Sequence, residues 1–122
     1  MGSSGKGGKR FPREVRLVRR AEFDAVYRTG KRRSSSHFTV FFRINELPQS
    51  RFGFSIKKEL GSAVMRNRIR RRLREMVRGQ RTEIPAGWDI VIHPKSRVSQ
   101  GPFRTLAAEL LQLLGNLAQA GK

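Results

Sequence analysis

The sequence contains no cysteine. Disulfide bridges and thiolate-bound metals are therefore excluded, a usage that suits a protein of the reducing cytoplasm. Histidine is scarce too, with only His37 and His93, in segments that read as separate strands. Acidic residues number nine and are scattered; Glu22 and Asp24 are close in sequence but point apart on a helix. No carboxylates cluster as a metal site requires, and no phosphate-cradling glycine motif precedes a helix. No catalytic residue, metal ligand or cofactor is assigned to this chain, because a lone strand histidine is more often packed or solvated than a general base. Long apolar runs are missing as well, so no segment reads as a transmembrane helix. Residues 1–10, MGSSGKGGKR, have no apolar stretch and read as a flexible basic tail rather than a secretory signal.

Positive charge is what the chain has in excess. Lys plus Arg number 27 against the nine acids, a formal net charge of +18 on 122 residues. Self-repulsion of that size calls for a bound polyanion, and nucleic acid is the commonest one. Arg outnumbers Lys by twenty to seven, and Arg forks onto phosphate and stacks on bases where Lys acts mainly as a point charge. Hydrophobic residues make up 37%, enough for a modest core, so residues 11–120 read as one α+β domain without internal repeats.

Phe11 and Pro12 open the ordered part. Residues 21–28 carry Phe23, Val26 and Tyr27 at helical spacing with Gly30 as a stop, a short helix with an aromatic face. Residues 31–36 (KRRSSS) read as an exposed basic loop. Residues 37–44 alternate as a strand, with Phe38, Val40, Phe42 and Ile44 on one side and His37, Thr39, Phe41 and Arg43 on the other. After a turn over residues 45–50, residues 51–57 alternate again, placing Phe52, Phe54 and Ile56 opposite Arg51, Gly53, Ser55 and Lys57. These two strands are expected to pair as an antiparallel hairpin with one buried face.

A helix is expected from Ser62, its N-cap, to about Arg78, with Gly79 as the stop. Met65, Ile69, Leu73, Met76 and Val77 form its apolar stripe. Residues 88–92 (WDIVI) read as a third strand after the turn at Pro85 and Gly87. A last helix begins at Gly101 and Pro102, with Phe103, Leu106, Ala107, Leu110, Leu111, Leu114 and Leu117 as its core face. The result is a small sheet with helices over one face and the other face partly open.

The helix from Ser62 is the strongest signal. It holds Arg66, Arg68, Arg70, Arg71, Arg72, Arg74 and Arg78 against one acid, Glu75. Solvated helix surfaces normally mix signs to gain i, i+4 pairs. Docked by its stripe, this one presents guanidinium groups on every exposed side, as a phosphate-binding helix does. A second signal is Phe41, a ring on the polar side of its strand among Thr39, Arg43, Ser55 and Lys57. Spacing leaves two readings open: a stacking platform for an unpaired nucleic-acid strand, or a ring packed beneath the first or last helix.

Residues 51–74 (RFGFSIKKELGSAVMRNRIRRRLR) resemble the signature of the bacterial ribonuclease P protein subunit family. The match centres on Arg66-Asn67-Arg68, preceded by Lys57-Lys58 and a Gly-x-Ala-Val at residues 61–64. Residues 11–17 (FPREVRL), Glu22-Phe23 with Tyr27, and WDIVI followed by a terminal helix resemble it too, in the same order over roughly residues 11–118. The resemblance implies an αβββαβα order, with one strand more than periodicity locates. It also implies a left-handed βαβ crossover of the ribosomal-protein-S5-domain-2-like class, against the usual right-handed rule.

The resemblance further implies the partners, the catalytic ribonuclease P RNA and precursor tRNA. That RNA would carry Mg²⁺ and cut away the 5′ leader; neither membrane nor DNA is implied. Arg66, Asn67, Arg68, Arg70, Arg71 and Arg74 correspond to residues contacting the catalytic RNA, and Asn67 also to the border of the leader cleft. Phe23, Tyr27, Phe38, Phe41, Ser55, Lys57 and Lys58 correspond to the cleft for the single-stranded leader. Alternation places Phe38 on the face opposite Phe41. Arg70 stands where the family often has Lys, and Phe41 where it often has Tyr. A ribosomal RNA-binding protein would share the charge without needing such a cleft. A DNA regulator could use an arginine helix, although seven arginines around it would grip phosphates without reading bases.

Overall fold

The computed structural model describes residues 15–115 and residue 117; the expected basic tail and the Phe11 and Pro12 opening lie outside them. Within these residues the order is α1 (Arg20–Thr29), β1 (Lys31–Ser34), β2 (Phe38–Ile44), β3 (Arg51–Phe54), α2 (Ala63–Gln80), β4 (Trp88–Pro94) and α3 (Phe103–Gly115). This is the αβββαβα succession. The four strands form one mixed sheet in the order β1-β2-β4-β3. No helix among the described residues is long and apolar enough to cross a membrane.

Two expectations are corrected here. Residues 31–34 are not loop but the edge strand β1, antiparallel to β2 with Lys31 opposite Phe42 and Ser34 opposite Thr39. It joins the sheet through the main-chain ladder, and its side chains are largely exposed, so no apolar alternation marks it. The expected hairpin of β2 and β3 does not form, because β4 lies between them, antiparallel to β2 and parallel to β3. Running apolar through Ile90, Val91 and Ile92, β4 is buried on both faces, as a central strand must be. The β2–β3 connection spans the end of β4 instead of folding back on itself. Asn45 N–H donates to the Gly87 carbonyl (2.8 Å), and Ser50 Oγ donates to the Pro85 carbonyl (2.6 Å) and accepts from Trp88 N–H (3.0 Å).

The main core lies on one face of the sheet. Phe38, Val40 and Phe42 of β2, Phe52 of β3, and Ile90 and Ile92 of β4 meet Ile69, Leu73, Met76 and Val77 of α2 and Leu106, Leu110 and Leu114 of α3. The N-cap of α2 is as expected, Met65 N–H donating to Ser62 Oγ (3.2 Å). The helix runs past Gly79 to Gln80, whose amide donates to the Ala107 carbonyl of α3 (2.9 Å). β3 stops at Phe54, and Phe103 and Ile44 (61% exposed) stay outside the core.

α1 covers part of the other face, so only the remainder is open. Glu22 Oε1 accepts from the Val18 and Arg19 N–H groups (2.9 and 3.0 Å) and caps the helix. At its end Gly30 N–H donates to the Val26 carbonyl (2.8 Å). A Cβ on Gly30 would lie 2.5–2.6 Å from the Val26 and Phe42 carbonyl oxygens, so glycine is needed where the chain turns closely into the sheet.

Asp89, 3% exposed, ties these parts together. Arg51 Nε and Nη2 donate to its two carboxylate oxygens (2.9 and 2.8 Å), and Asn45 Nδ2 donates to one of them (2.8 Å). Arg51 Nη1 also reaches Glu22 Oε2 at 3.2 Å. One guanidinium thereby links β3, β4 and α1.

Candidate nucleic-acid interface

The half-covered face of the sheet is built from the alternate residues of each strand. Thr39 pairs with His93, Phe41 with Val91, and Arg43 with Asp89 across β2 and β4, while Gly53 of β3 pairs with Val91 from the other side. Leu17, Val26 and Val91 form a small second core there, with Phe23 and Phe41 packed against it. Gly53 is the seat of the Phe23 ring, since a Cβ at that position would lie 2.5 Å from its Cζ.

Beyond this seat the rings reach solvent. Tyr27, 38% exposed, sets its ring nearly perpendicular to Phe41 (centroids 5.1 Å apart, 87°). His93 completes the group, 5.6 Å from the Tyr27 ring and 5.1 Å from that of Phe41. Tyr27 Oη and His93 Nε2 are hydrogen-bonded at 2.8 Å. Burial raises the Tyr27 pKa, opposed in part by a hydrogen bond from Ser55. Burial lowers the His93 pKa, and the Lys57 cation lowers it further, so the imidazole is neutral near neutral pH.

Beside these rings opens a cavity of about 440 Å³, bordered by Phe41 and His93 and carrying Arg32, Lys57 and Lys95 with one acid, Glu59. Its volume and its excess of cations suit an unpaired nucleotide with its phosphate. Neutral rings supply the stacking surface, and ammonium and guanidinium groups supply the counter-charge.

The second basic surface is α2, on the opposite side of the sheet. Arg68, Arg71 and Arg74 are exposed. Arg70 donates to Asn67 Oδ1 (3.0 Å), Arg66 to the Gly61 carbonyl (3.2 Å) and Arg72 to the Gly101 carbonyl (3.2 Å). Arg72 also lies over the Phe103 ring, 5.7 Å from its centroid. The Arg74 pKa is lowered by partial desolvation of its guanidinium and by the neighbouring Arg16 and Arg70. Arg16 is thus a further member of this field, brought there by its bridge to Phe52 on β3. Such self-repelling guanidinium groups are suited to a line of phosphates.

The structure gathers Phe23, Tyr27, Phe41, Ser55 and Lys57 on one face. Lys58 follows at the exposed start of a short turn. Phe38 does not join them: it is fully buried in the main core, beneath α2 and α3. Its strand position points it away from Phe41, and alternation outweighs the family correspondence at this residue. Asn67 is not among the residues lining the cavity, and its side chain accepts from Arg70 instead. His93 is the residue that sequence reasoning passed over. Alternation along β4 puts it on the same side as Val91, but its nearness to Phe41 depends on the β2–β4 pairing, which the sequence does not announce. Among the described residues no three His, Cys, Asp or Glu side chains group as a metal ion would require.

Comparison with known proteins gives a consistent picture. The family model described as Ribonuclease P matches residues 11–118. The ribonuclease P protein component of Desulfovibrio desulfuricans is 39% identical over 113 residues, covering 89% of this chain and 87% of the relative. That of Thermotoga maritima is 37% identical over 108 residues, covering 85% and 92%. The solved structure of the RNase P protein from Thermotoga maritima superposes with a TM-score of 0.78 at 35% identity, over 83% of this chain and 96% of that one.

Proposed function

Since the chain belongs to the bacterial ribonuclease P protein component family and is therefore part of a tRNA-processing endoribonuclease, we propose a division of labour between its two basic surfaces. The face carrying Tyr27, Phe41, Ser55 and Lys57 holds the single-stranded 5′ leader of precursor tRNA. The arginines of α2, with Arg66, Asn67, Arg68, Arg70, Arg71 and Arg74 foremost, bind the catalytic RNA. In this reading the RNA carries Mg²⁺ and breaks the phosphodiester bond, in the cytoplasm. The protein raises affinity for precursor over mature tRNA and screens phosphate repulsion where the two RNAs meet, lowering the Mg²⁺ required.

One observation supports the reading most directly: three rings meet at a partly exposed hydrogen bond beside a cavity whose charged walls are cationic but for one acid. Bases of any identity can stack on such rings, as a leader that varies between tRNAs requires. A duplex-binding or ribosomal role would use α2 alone and leave this face without purpose.

The test is binding by the protein assembled with its catalytic RNA. Phe41→Ala and Tyr27→Ala should each weaken precursor binding by about 1–3 kcal/mol, the usual loss per unstacked base, and leave mature tRNA binding unchanged. Arg68→Ala and Arg71→Ala should weaken assembly with the catalytic RNA instead. Equal weakening of assembly by both pairs would refute the division. Competition between leader RNA, ribosomal RNA and duplex DNA separates the alternatives.

A further inference from the structure

His93 sits where the leader face and the cation-lined cavity meet. It borders that cavity, its ring contacts both aromatic residues, and its Nε2 is bonded to Tyr27 Oη. Building on the leader-binding reading above, we propose that His93 is a positioning residue that orients the Tyr27 hydroxyl and takes up a proton when a phosphate-bearing strand enters the cavity.

The charged and titratable surroundings set the direction of the effect. From α1 the imidazole faces Tyr27, and from the segment after β3 it faces Lys57. From β2 it meets Thr39 and Phe41, neither of which titrates. Arg32 of β1, Lys95 beyond β4, and Glu59 complete the charges of the cavity. In the free protein burial, and after it the Lys57 cation, keep His93 neutral, its pKa below the ordinary 6.5. A phosphate held between Lys57 and Arg32 offsets the Lys57 charge, so the proton affinity of His93 rises on binding. Linkage is reciprocal: if binding raises the pKa, lowering the pH tightens binding.

Protonation also reverses the hydrogen bond. With a neutral ring protonated on Nδ1, Tyr27 O–H donates to Nε2. An imidazolium carries protons on both nitrogens, so Nε2–H must donate and Tyr27 Oη must accept. The phenolic proton is then turned away from His93, free to donate to a base or phosphate of the strand. The added proton comes from solvent and returns there on release.

The experiment measures Kd for precursor and mature tRNA by the RNA-assembled protein, using a precursor blocked at its cleavage site. Wild type, His93→Gln and His93→Ala are compared from about pH 8 to about pH 5, a range that extends below the ordinary imidazole pKa because that of His93 is lowered. In wild type, precursor affinity rises as pH falls, approaching tenfold for each unit by which binding raises the His93 pKa once the pH is below the pKa of the free protein. His93→Gln keeps a hydrogen-bonding group near Tyr27 but cannot titrate, so whatever its affinity at high pH, that affinity no longer rises as pH falls. His93→Ala weakens precursor binding at every pH. NMR of the imidazole in the full chain, with and without a leader oligonucleotide, reads the pKa change directly and is independent of mutant folding. An unchanged pH dependence in His93→Gln, or a pKa that stays put or falls on binding, overturns the proposal. Failure of wild type to prefer precursor at any pH overturns the leader reading itself, a distinguishable result.

Discussion

Replacing Asp89 by Asn tests the link that holds α1 over the sheet. The substitution keeps the shape of the side chain but removes its charge and turns one acceptor into a donor facing Arg51, whose Nε and Nη2 both need acceptors there. Removing one partner of a buried ion pair typically costs about 3–5 kcal/mol, because the other charge is left uncompensated. Two features reduce this. Arg51 keeps Glu22 at 3.2 Å, and a quarter of its side chain is exposed. A loss of about 2–3 kcal/mol is therefore expected, at or just below the bottom of that range, equivalent to a fall in Tm of roughly 10–20 °C for a domain near 100 residues. Urea unfolding followed by circular dichroism is the assay, and the midpoint should shift at constant slope. Replacing both partners, with Arg51→Met and Asp89→Val, should recover much of the loss, since apolar pairs often substitute well for buried ions. A cost below about 1 kcal/mol for Asp89→Asn, the level of an exposed pair, would refute the reasoning.

Gly53→Ala should push the Phe23 ring off its seat, at about 1–3 kcal/mol of overpacking, and weaken precursor binding while assembly with the catalytic RNA is retained; wild-type precursor affinity would contradict the Gly53 contact. Glu22 and Glu109 govern acid stability. Burial alone would raise both pKa values, but backbone N–H groups of Arg19 and Val18 with Arg51 outweigh it at Glu22, as Ser35 and His37 do at Glu109, and both lie below the ordinary 4.5. A lowered native pKa means that the unfolded chain binds protons first, so this stability is complete above about pH 4.5 and drains away as pH falls through the lowered values. The double variant Glu22→Gln, Glu109→Gln should show a flatter decline in urea midpoint below that pH; parallel curves would count against it. For assembly with the catalytic RNA, Arg68→Ala should reduce the slope of log Kd against log salt by about 0.7–0.9 for each phosphate that Arg68 neutralises, while Tyr27→Ala leaves it alone; equal slopes would be the contrary result.

What could be read in advance depended on whether side chains or main chain did the organising. The stripe and N-cap of α2 and the alternation of β2 are side-chain signals, and both helix and strand lie where those signals put them. β1 is paired through the main-chain ladder, with Lys31, Arg32 and Ser34 exposed, so no apolar pattern betrays it. The hairpin expectation failed for a related reason: alternation assigns a residue to a face of the sheet and says nothing of which strand lies beside it. The apolar Ile90, Val91 and Ile92 were the clue that β4 lies centrally. At the site, Phe41 was legible as an apolar ring among polar neighbours. His93 was not, because its significance lies in a cross-strand relation. Phe38 shows the opposite case, in which the period of two located the ring correctly and the family correspondence misplaced it.

The outer rim of β1 carries main-chain donors and acceptors that face away from β2, and along it stand Lys31, Arg32 and Arg33. In the unbound protein these like charges keep two copies from zipping rim to rim. A polyanion that neutralises them without covering the rim lifts that guard. Mixing with too little RNA should thus make the chain cloud, and further RNA should clear it, a re-entrant solubility written into three cations.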